Sequence, residues 1–153
     1  MAPMNRRDLC LSAGAFAALG LFAEAQSRRA SADTIDMTKS HVFHFDRMTV
    51  QQHANGGWGR PVMHGTLPTG EFVEVHETML PPGQAPHPPH KHRNTEFVLM
   101  REGHVVYWGE DGKRIPMGPG DVAYSASNQL HGMKNTGTAN ASYFIVSVSR
   151  GQM

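Results

Sequence analysis

Short runs of alternating apolar and polar residues, separated by Gly and Pro, occupy the chain from residue 40 onward. Six runs show the alternation, or the enrichment in β-branched and aromatic residues, that predicts a β-strand. They are residues 41–50, 71–80, 95–100, 104–108, 122–124 and 141–148. The Gly-rich stretch 55–61 predicts a loop at the mouth of a barrel, because glycine tolerates backbone angles that strain other residues.

Composition favours an all-β protein with one folded domain. The 153 residues are 39% hydrophobic, which suffices for one core and is too little for two. The chain has 16 Gly and 10 Pro but only 18% charged residues, a balance that indicates short strands joined by turns rather than long helices. The spacing of the strands fits either a β-sandwich or a closed double-sheet barrel, and periodicity alone does not separate the two.

The first 32 residues carry the features of an export signal. Arg6 and Arg7 precede a mildly apolar run, residues 9–23, and small residues follow up to Ala25 and again up to Ala32. The segment resembles a twin-arginine signal; an ordinary secretory signal or an anchoring helix is the alternative, but the run is too short and too rich in Ala and Gly to span a bilayer comfortably. We expect residues 1–32 to be a signal and short linker, cleaved after Ala25 or Ala32. Residues 33–153 would then be the folded domain of a periplasmic or otherwise exported protein.

Charge and cysteine content narrow the partners and the chemistry. The 14 basic and 13 acidic residues nearly cancel, and no Lys/Arg cluster recurs after residue 29. The basic surface of a nucleic-acid binder is therefore missing, and a small-molecule substrate is the expected partner, with no membrane contact after signal cleavage. Cys10 is the only cysteine, so a metal site in the domain must use nitrogen and oxygen ligands.

Two histidines and a glutamate stand at spacings that suit a metal site. His90 and His92 are two residues apart, so on an extended chain their imidazoles project to the same side. Glu96 has the same parity, and Val98 and Met100 would continue that face as apolar lining. If the chain stays extended as far as Glu96, all three polar side chains converge inward.

A third histidine, His131, completes the set by the same parity argument. Met133 and Asn135 would share its side of a strand, while Gly132 and Lys134 would point to solvent. Three imidazoles and one carboxylate suit Mn, Fe, Ni, Co or Zn better than Mg or Ca. One histidine alone is more often structural, but four residues in this order and spacing favour metal binding.

At these residues the sequence resembles the cupin superfamily. The first motif of that family is matched by Gly83, His90, His92, Glu96 and Gly103. The second is matched by Pro119-Gly120-Asp121 followed by His131 and Asn135, and the resemblance covers about residues 80–148. Six residues separate Gly83 from His90 and ten separate Gly120 from His131, slightly more than the strict motifs allow, which longer loops would explain.

The resemblance implies an all-β fold, a single double-stranded β-helix (jelly-roll) barrel. It also implies that His90, His92, Glu96 and His131 hold one divalent metal ion, with Fe or Mn expected first and Ni, Co or Zn next. Similar cupins are dioxygenases, so the leading expectation is an oxidoreductase in which Glu96 or a nearby base takes a proton from a small chelating substrate. The alternatives are a non-redox decarboxylase, isomerase or lyase, and a non-catalytic binding module. Cupin barrels commonly pair through N-terminal strands, so residues 41–50 could form a homodimer.

Further residues are candidates for the surroundings of the metal. His87 could replace a ligand, support one through a hydrogen bond, or lie at the barrel rim. His76 and Glu77 should border the cavity, and one of them could act as an acid or base, although their parity does not say which. Large side chains could line an organic pocket, although most are expected in the core: Trp58, Tyr107, Trp108, Tyr124 and Met133.

Overall fold

The computed structural model describes residues 35–150, and the predicted export signal lies outside these described residues. The described part has nine strands and one short 3-10 turn, Phe45–Arg47. Within residues 35–150 there is no helix long and apolar enough to cross a membrane. The strands are β1 (Gln51–Gln52), β2 (Trp58–Thr66), β3 (Glu71–Leu80), β4 (Thr95–Glu102), β5 (Val105–Trp108), β6 (Arg114–Met117), β7 (Val122–Ser125), β8 (Gly132–Asn135) and β9 (Ala141–Arg150).

The strands form two antiparallel sheets. The larger sheet has six strands in the order β1-β2-β3-β9-β4-β7, and the smaller has three in the order β6-β5-β8. The longest pairing joins β3 to β9, from Glu71 opposite Arg150 to Leu80 opposite Ala141. The prediction of an all-β, two-sheet architecture is confirmed.

The hydrophobic core lies between the two sheets. Strand β4 shows how the alternation works: Val98 and Met100 are buried inside, while Phe97 and Leu99 are each 38% exposed on the outer face. Removing these apolar side chains from water is the main stabilising contribution, at roughly 25 cal/mol per Å² of apolar surface. Both sheets supply core residues: Leu80, Val98, Met100, Val105, Tyr107, Met117, Met133, Ala141, Tyr143 and Ile145.

A buried carboxylate anchors the outer face of the larger sheet. Glu77 is 0% exposed, and its two oxygens pair with Arg60 Nη1 at 2.9 Å and Arg101 Nη1 at 2.6 Å. The ring of Phe45 covers both guanidinium groups, 3.6 Å and 4.4 Å from their central carbons. These cation–π distances lie well within the favourable range. The segment before β1 is thereby held against the sheet.

This contact explains why the predicted strand at residues 41–50 is wrong. The segment contains the 3-10 turn instead, and pairing begins at Gln51. Its apolar residues do not alternate between a core and solvent: Phe45 stacks on the arginines, and Val42 is exposed. Residues 41–50 therefore form no strand through which the expected homodimer could pair. The homodimer stays a prediction.

The other predicted strands are confirmed with small changes of length. Strand β3 has the predicted bounds, while β4, β7 and β9 run one or two residues further than predicted and β5 starts one residue later. Strand β2 was missed because Gly and Pro made residues 55–61 look like a loop. In fact β2 begins at Trp58, and Pro61 is accommodated where the register shifts before Met63. The largely exposed strand β6 was also missed, since its residues do not alternate between buried and exposed.

Candidate metal centre

The main chain brings two of the predicted ligands face to face. His90 and His131 form an isolated antiparallel β-bridge, in which each backbone N–H donates to the other residue's carbonyl at 3.1 Å. Pro88 and Pro89 precede His90 and have no N–H groups, so the pairing does not extend in that direction. The chain then bends before β4 begins at Thr95, so it is not extended throughout as the parity argument assumed.

The bend still brings the three imidazoles together. The ring centroids are 4.9 Å apart for His90 and His92, 5.0 Å for His90 and His131, and 4.6 Å for His92 and His131. One possible ligand atom from each residue lies within 4.8 Å of the other two. Three nitrogens converging in this way can hold a metal ion.

Hydrogen bonds select the form of the imidazole that a metal requires. His92 Nδ1 lies 3.0 Å from the Asn94 carbonyl oxygen, and His131 Nδ1 lies 2.9 Å from that of Gln129. A carbonyl oxygen only accepts, so each Nδ1 carries the proton and donates it. Each Nε2 then has a free lone pair, the arrangement typical of metal-ligating histidines.

The nitrogens at the centre of the cluster have no other use in the fold. His90 Nδ1, His92 Nε2 and His131 Nε2 are all buried, and none has a hydrogen-bond partner among the described residues. Leaving buried polar atoms unsatisfied is costly, so native proteins rarely do it without a functional reason. Three such atoms pointing into one small space fit a bound divalent metal ion.

Glu96, the fourth predicted ligand, lies beside the three imidazoles at the start of β4. Its Oε1 lies 3.2 Å from His92 Nε2 and its Oε2 lies 3.6 Å from His131 Nε2, with the side chain 17% exposed. Asn94, which is buried, donates a hydrogen bond from Nδ2 to Glu96 Oε1 at 3.2 Å and another to the Ser147 hydroxyl. Asn94 thus orients the carboxylate, a role that no sequence pattern predicted.

Burial keeps His90 in the neutral form that binds metals. The pKa of His90 is lowered from its ordinary 6.5 to about 4, first by desolvation and then by the nearby His87, His131 and His92, while Glu96 opposes the shift. The imidazole is therefore uncharged at neutral pH, with its lone pair available for coordination.

The sequence comparison agrees with this geometry. The family model of the cupin domain matches residues 76–147, which include all four predicted ligands. The chain belongs to the cupin superfamily. No curated protein matches the sequence significantly.

Solved structures share the fold of this cupin at low sequence identity. A predicted oxalate decarboxylase from Thermotoga maritima is 24% identical, with a TM-score of 0.58, and the match covers 71% of this chain and 98% of that one. KdgF from Halomonas sp. is 16% identical, with a TM-score of 0.64 and coverage of 74% and 97%. A sugar phosphate isomerase from Silicibacter pomeroyi is 20% identical, with a TM-score of 0.53 and coverage of 74% and 83%. These likenesses show the fold alone, and the predicted double-stranded β-helix is confirmed.

His87 lies at the rim of the cupin site rather than inside it. Its side chain is exposed, its Nδ1 donates to the Pro88 carbonyl oxygen at 3.0 Å, and its ring meets the His90 ring edge-on with centroids 4.1 Å apart. Of the sequence alternatives, the structure places it at the rim, packed on one face of His90.

The remaining pocket candidates separate into inner and outer positions. Tyr107 is buried, with its hydroxyl 2.8 Å from the Ser125 hydroxyl, and Met133 belongs to the core. Tyr124 instead lies on the outer face of β7, 59% exposed and stacked near Phe97, so it does not line the interior. Ser125 stands opposite Glu96 and points to the interior, so the adjacent Tyr124 points outward.

Three further expectations change with the packing around the sheets. Gly132 was predicted to face solvent but is buried, because the Trp108 ring lies over it. Trp58 lies near the Arg60 guanidinium on the outer sheet face, away from the metal cluster. Glu77 is occupied by its arginine pairs, so of the two residues left ambiguous by parity, His76 is the one that faces inward.

Proposed function

We propose that this cupin is a mononuclear metal-dependent enzyme acting on a small, oxygen-rich organic molecule. The observation that carries the proposal is the set of three buried imidazole nitrogens without hydrogen-bond partners, joined by the Glu96 carboxylate. A purely structural histidine cluster would satisfy these nitrogens with carbonyl or hydroxyl groups. Here the hydrogen bonds of His92 and His131 are made by the opposite nitrogen of each ring, Nδ1.

The donor set defines the kind of ion that fits. His90, His92, His131 and Glu96 would hold it, and three nitrogens with one carboxylate favour Mn, Fe, Co, Ni or Zn. A bound ion of this kind supplies Lewis-acid polarisation of carbonyl or carboxylate oxygens. The chain does the rest: the carbonyls of Asn94 and Gln129 fix two rings, and the Asn94 side chain fixes the carboxylate.

The inner face of the larger sheet supports proton-transfer chemistry without a redox step. His76 and Glu74 of β3 share this inner face with Glu96 of β4, two strands away, so the barrel has proton-handling groups besides Glu96. Neighbours in the fold include proteins described as a predicted oxalate decarboxylase and a sugar phosphate isomerase, and these names suggest which compounds to test first. A decarboxylase, isomerase or lyase is the reaction class that we propose.

A dioxygenase is the second candidate, and the ligand set supports it. Imidazole and carboxylate donors suit iron and manganese, which change oxidation state, as well as zinc, which does not. In that reaction Glu96 would accept the proton that the substrate loses on binding. The identity of the ion and the consumption of dioxygen distinguish the two reaction classes.

The first experiment is elemental analysis of the protein purified without chelators and without nickel-affinity chromatography. Near-stoichiometric Mn, Fe, Co, Ni or Zn is expected. Less than about one ion per ten chains, together with failure to take up any of the five ions added singly, would overturn the metal-site proposal.

The second experiment is a screen of small carboxylic, keto and hydroxy acids and sugar phosphates with the metal-loaded protein, in air and without oxygen. Product formed equally under both conditions supports the non-redox enzyme. Product formed only in air, with matching oxygen consumption, supports the dioxygenase instead. Stoichiometric metal without turnover of any compound would identify a binding module and contradict both enzyme proposals.

A further inference from the structure

Strand β3 carries two polar side chains on the face that lines the inside of the barrel. His76 stands opposite Ile145 of β9, a core residue. Residues directly opposite one another in an antiparallel pair point to the same face of the sheet. His76 and, two residues earlier, Glu74 therefore point into the barrel, whereas Glu77 points outward to its arginines.

The register of the sheet aligns this pair with the metal cluster. Glu74 stands opposite Ser147 of β9, and Ser147 stands opposite Glu96 of β4. The three side chains thus form one row across the inner face. Two interstrand steps separate the backbones of Glu74 and Glu96 by about 10 Å, since neighbouring strands lie about 4.8 Å apart. A small molecule held near Glu96 can therefore meet side chains extending from β3.

The Glu74 carboxylate lies beside the His76 imidazole on the inner face of β3. His76 Nδ1 lies 3.5 Å from Glu74 Oε1, and the side chains are 32% and 28% exposed. His76 Nδ1 itself is buried and has no hydrogen-bond partner among the described residues. The exposed part of the ring is therefore its other edge, which bears Nε2.

A cleft lies at the end of β3 that contains Phe72. It has a volume of about 400 Å³ and is lined by Phe72 and His64 together with residues 35–38. Phe72 lies two residues before Glu74 on the same face, and His64 stands opposite Glu74 on β2. The cleft therefore adjoins neighbours of Glu74, although neither Glu74 nor His76 lines it.

We propose that His76 is the residue that exchanges a proton with the substrate, and that Glu74 is a positioning residue that holds its ring. This inference rests on the proposed function, because it assigns a proton-transfer role at the same site. Neutral His76 would take a proton at Nε2 from a C–H or O–H bond of the substrate, and the electron pair of that bond stays on the substrate. Return of the proton to the product restores the neutral imidazole, while Glu74 stabilises the transient positive charge.

The titratable groups of the described strands around the pair include His64, Glu96 and Tyr143. On its own strand His76 has Glu74 beside it, and β2 contributes His64 opposite Glu74. Glu96 on β4 lies across β9, and Tyr143 of β9 stands opposite Thr78, two residues beyond His76. The phenol of Tyr143 stays protonated in the working pH range, because burial raises its pKa. A proton taken up near neutral pH when an anion binds can therefore be assigned by substituting the histidine.

The test measures proton uptake when oxalate, used as the probe, binds the metal-loaded protein. Calorimetric titrations in two buffers of different ionisation enthalpy give the number of protons taken up. The wild type is expected to take up a measurable fraction of one proton near pH 7, His76→Gln none, and Glu74→Gln less than the wild type. His44→Gln, which removes an exposed histidine before β1, is the matched control and should behave as the wild type.

Metal content is measured on the same samples, so that two kinds of failure stay distinct. A wild type that binds no metal refutes the proposed function. If His76→Gln keeps its metal, binds oxalate and takes up as many protons as the wild type, the inference about His76 alone is wrong. Absence of proton uptake, or of oxalate binding, in the metal-loaded wild type also overturns it.

On the substrate identified by screening, His76→Gln should lower kcat about 100-fold or more and remove one limb of the pH–rate profile.

Discussion

The backbones of His90 and His131 are joined by two hydrogen bonds of 3.1 Å, although the residues lie far apart in the sequence. The bridge fixes the two histidines through the main chain, so their backbones are held together without a metal ion. His92 and Glu96 are then placed by the bend that follows His90 and by Asn94. A site organised in this way would lose little conformational entropy on binding a metal ion, which would favour high affinity.

The first prediction concerns the ligands and their neighbour at the rim. His92→Ala removes a buried lone pair from the cluster and should lower metal affinity by more than about 100-fold, since loss of even an outer supporting partner costs 10- to 100-fold. His87→Ala is the matched control, because His87 packs on His90 but donates to a carbonyl outside the cluster. Calorimetric titration with Zn²⁺ or Mn²⁺ measures both. Equal losses in the two variants would refute the ligand assignment.

The second prediction concerns pH and the metal-free protein. The pKa of His90 is about 4 in the folded state, chiefly through burial, and near 6.5 when the chain is unfolded. As the pH falls from 6.5 towards 4, the unfolded state takes up a proton at His90 before the folded state does. The free energy of unfolding should therefore decrease over this interval and level off above it.

Urea unfolding of the metal-free protein at pH 7 and pH 5 measures this dependence. In His90→Gln the decrease between the two pH values should be smaller, because the group whose pKa is lowered has been removed. An unchanged decrease would show that other groups account for the acid sensitivity and that His90 contributes nothing to it.

The sequence predicted which three histidines come together but not the residues that hold them in place. The spacing of His90, His92 and Glu96, followed by His131, was enough to propose one metal site. Four residues in this order and spacing favour metal binding over a chance arrangement. Asn94 was missed, since a single Asn between two ligands resembles an ordinary turn residue. Its role depends on Ser147, a contact between segments distant in the sequence that no local pattern reports.

The fold was predictable where one face of a strand is buried and the other is exposed. Strand β3 has the predicted bounds, but its alternation could not show whether His76 or Glu77 points inward. The ambiguity arises because both faces of β3 are covered, one by the core and the other by the arginine pair around Glu77. Residues 41–50 were misread for a related reason, since Phe45 stacks on those arginines rather than entering a ladder.

The third prediction tests this buried ion cluster. Glu77→Ala should lower the free energy of unfolding by about 3–5 kcal/mol, because it leaves the buried guanidinium of Arg60 without its carboxylate. Glu102→Ala is the matched control: its carboxylate also lies near Arg101, at 3.6 Å, but it is exposed. That change should cost no more than about 0.5 kcal/mol. Chemical denaturation measures both, and a similar small cost for the two variants would contradict the structural role of the cluster.

The fourth prediction concerns two glycines with the same backbone conformation and different surroundings. Gly103 has a φ of +72° and Gly112 a φ of +70°, a region that disfavours residues with a Cβ. A Cβ on Gly112 would meet no atom within 4 Å, so Gly112→Ala should cost only the backbone strain, about 1 kcal/mol.

A Cβ on Gly103 would clash with the Asn140 carbonyl oxygen and lie 2.6 Å from the Ala141 Cα, at the start of β9. These are main-chain atoms of a central strand, so they cannot move aside without disturbing the sheet. Gly103→Ala should therefore cost about 3 kcal/mol or more, the sum of strain and overpacking. Thermal or urea unfolding of the two variants compares them directly. Equal destabilisation would mean that the glycine of the first cupin motif is required for its backbone angle alone and not for the close approach of β9.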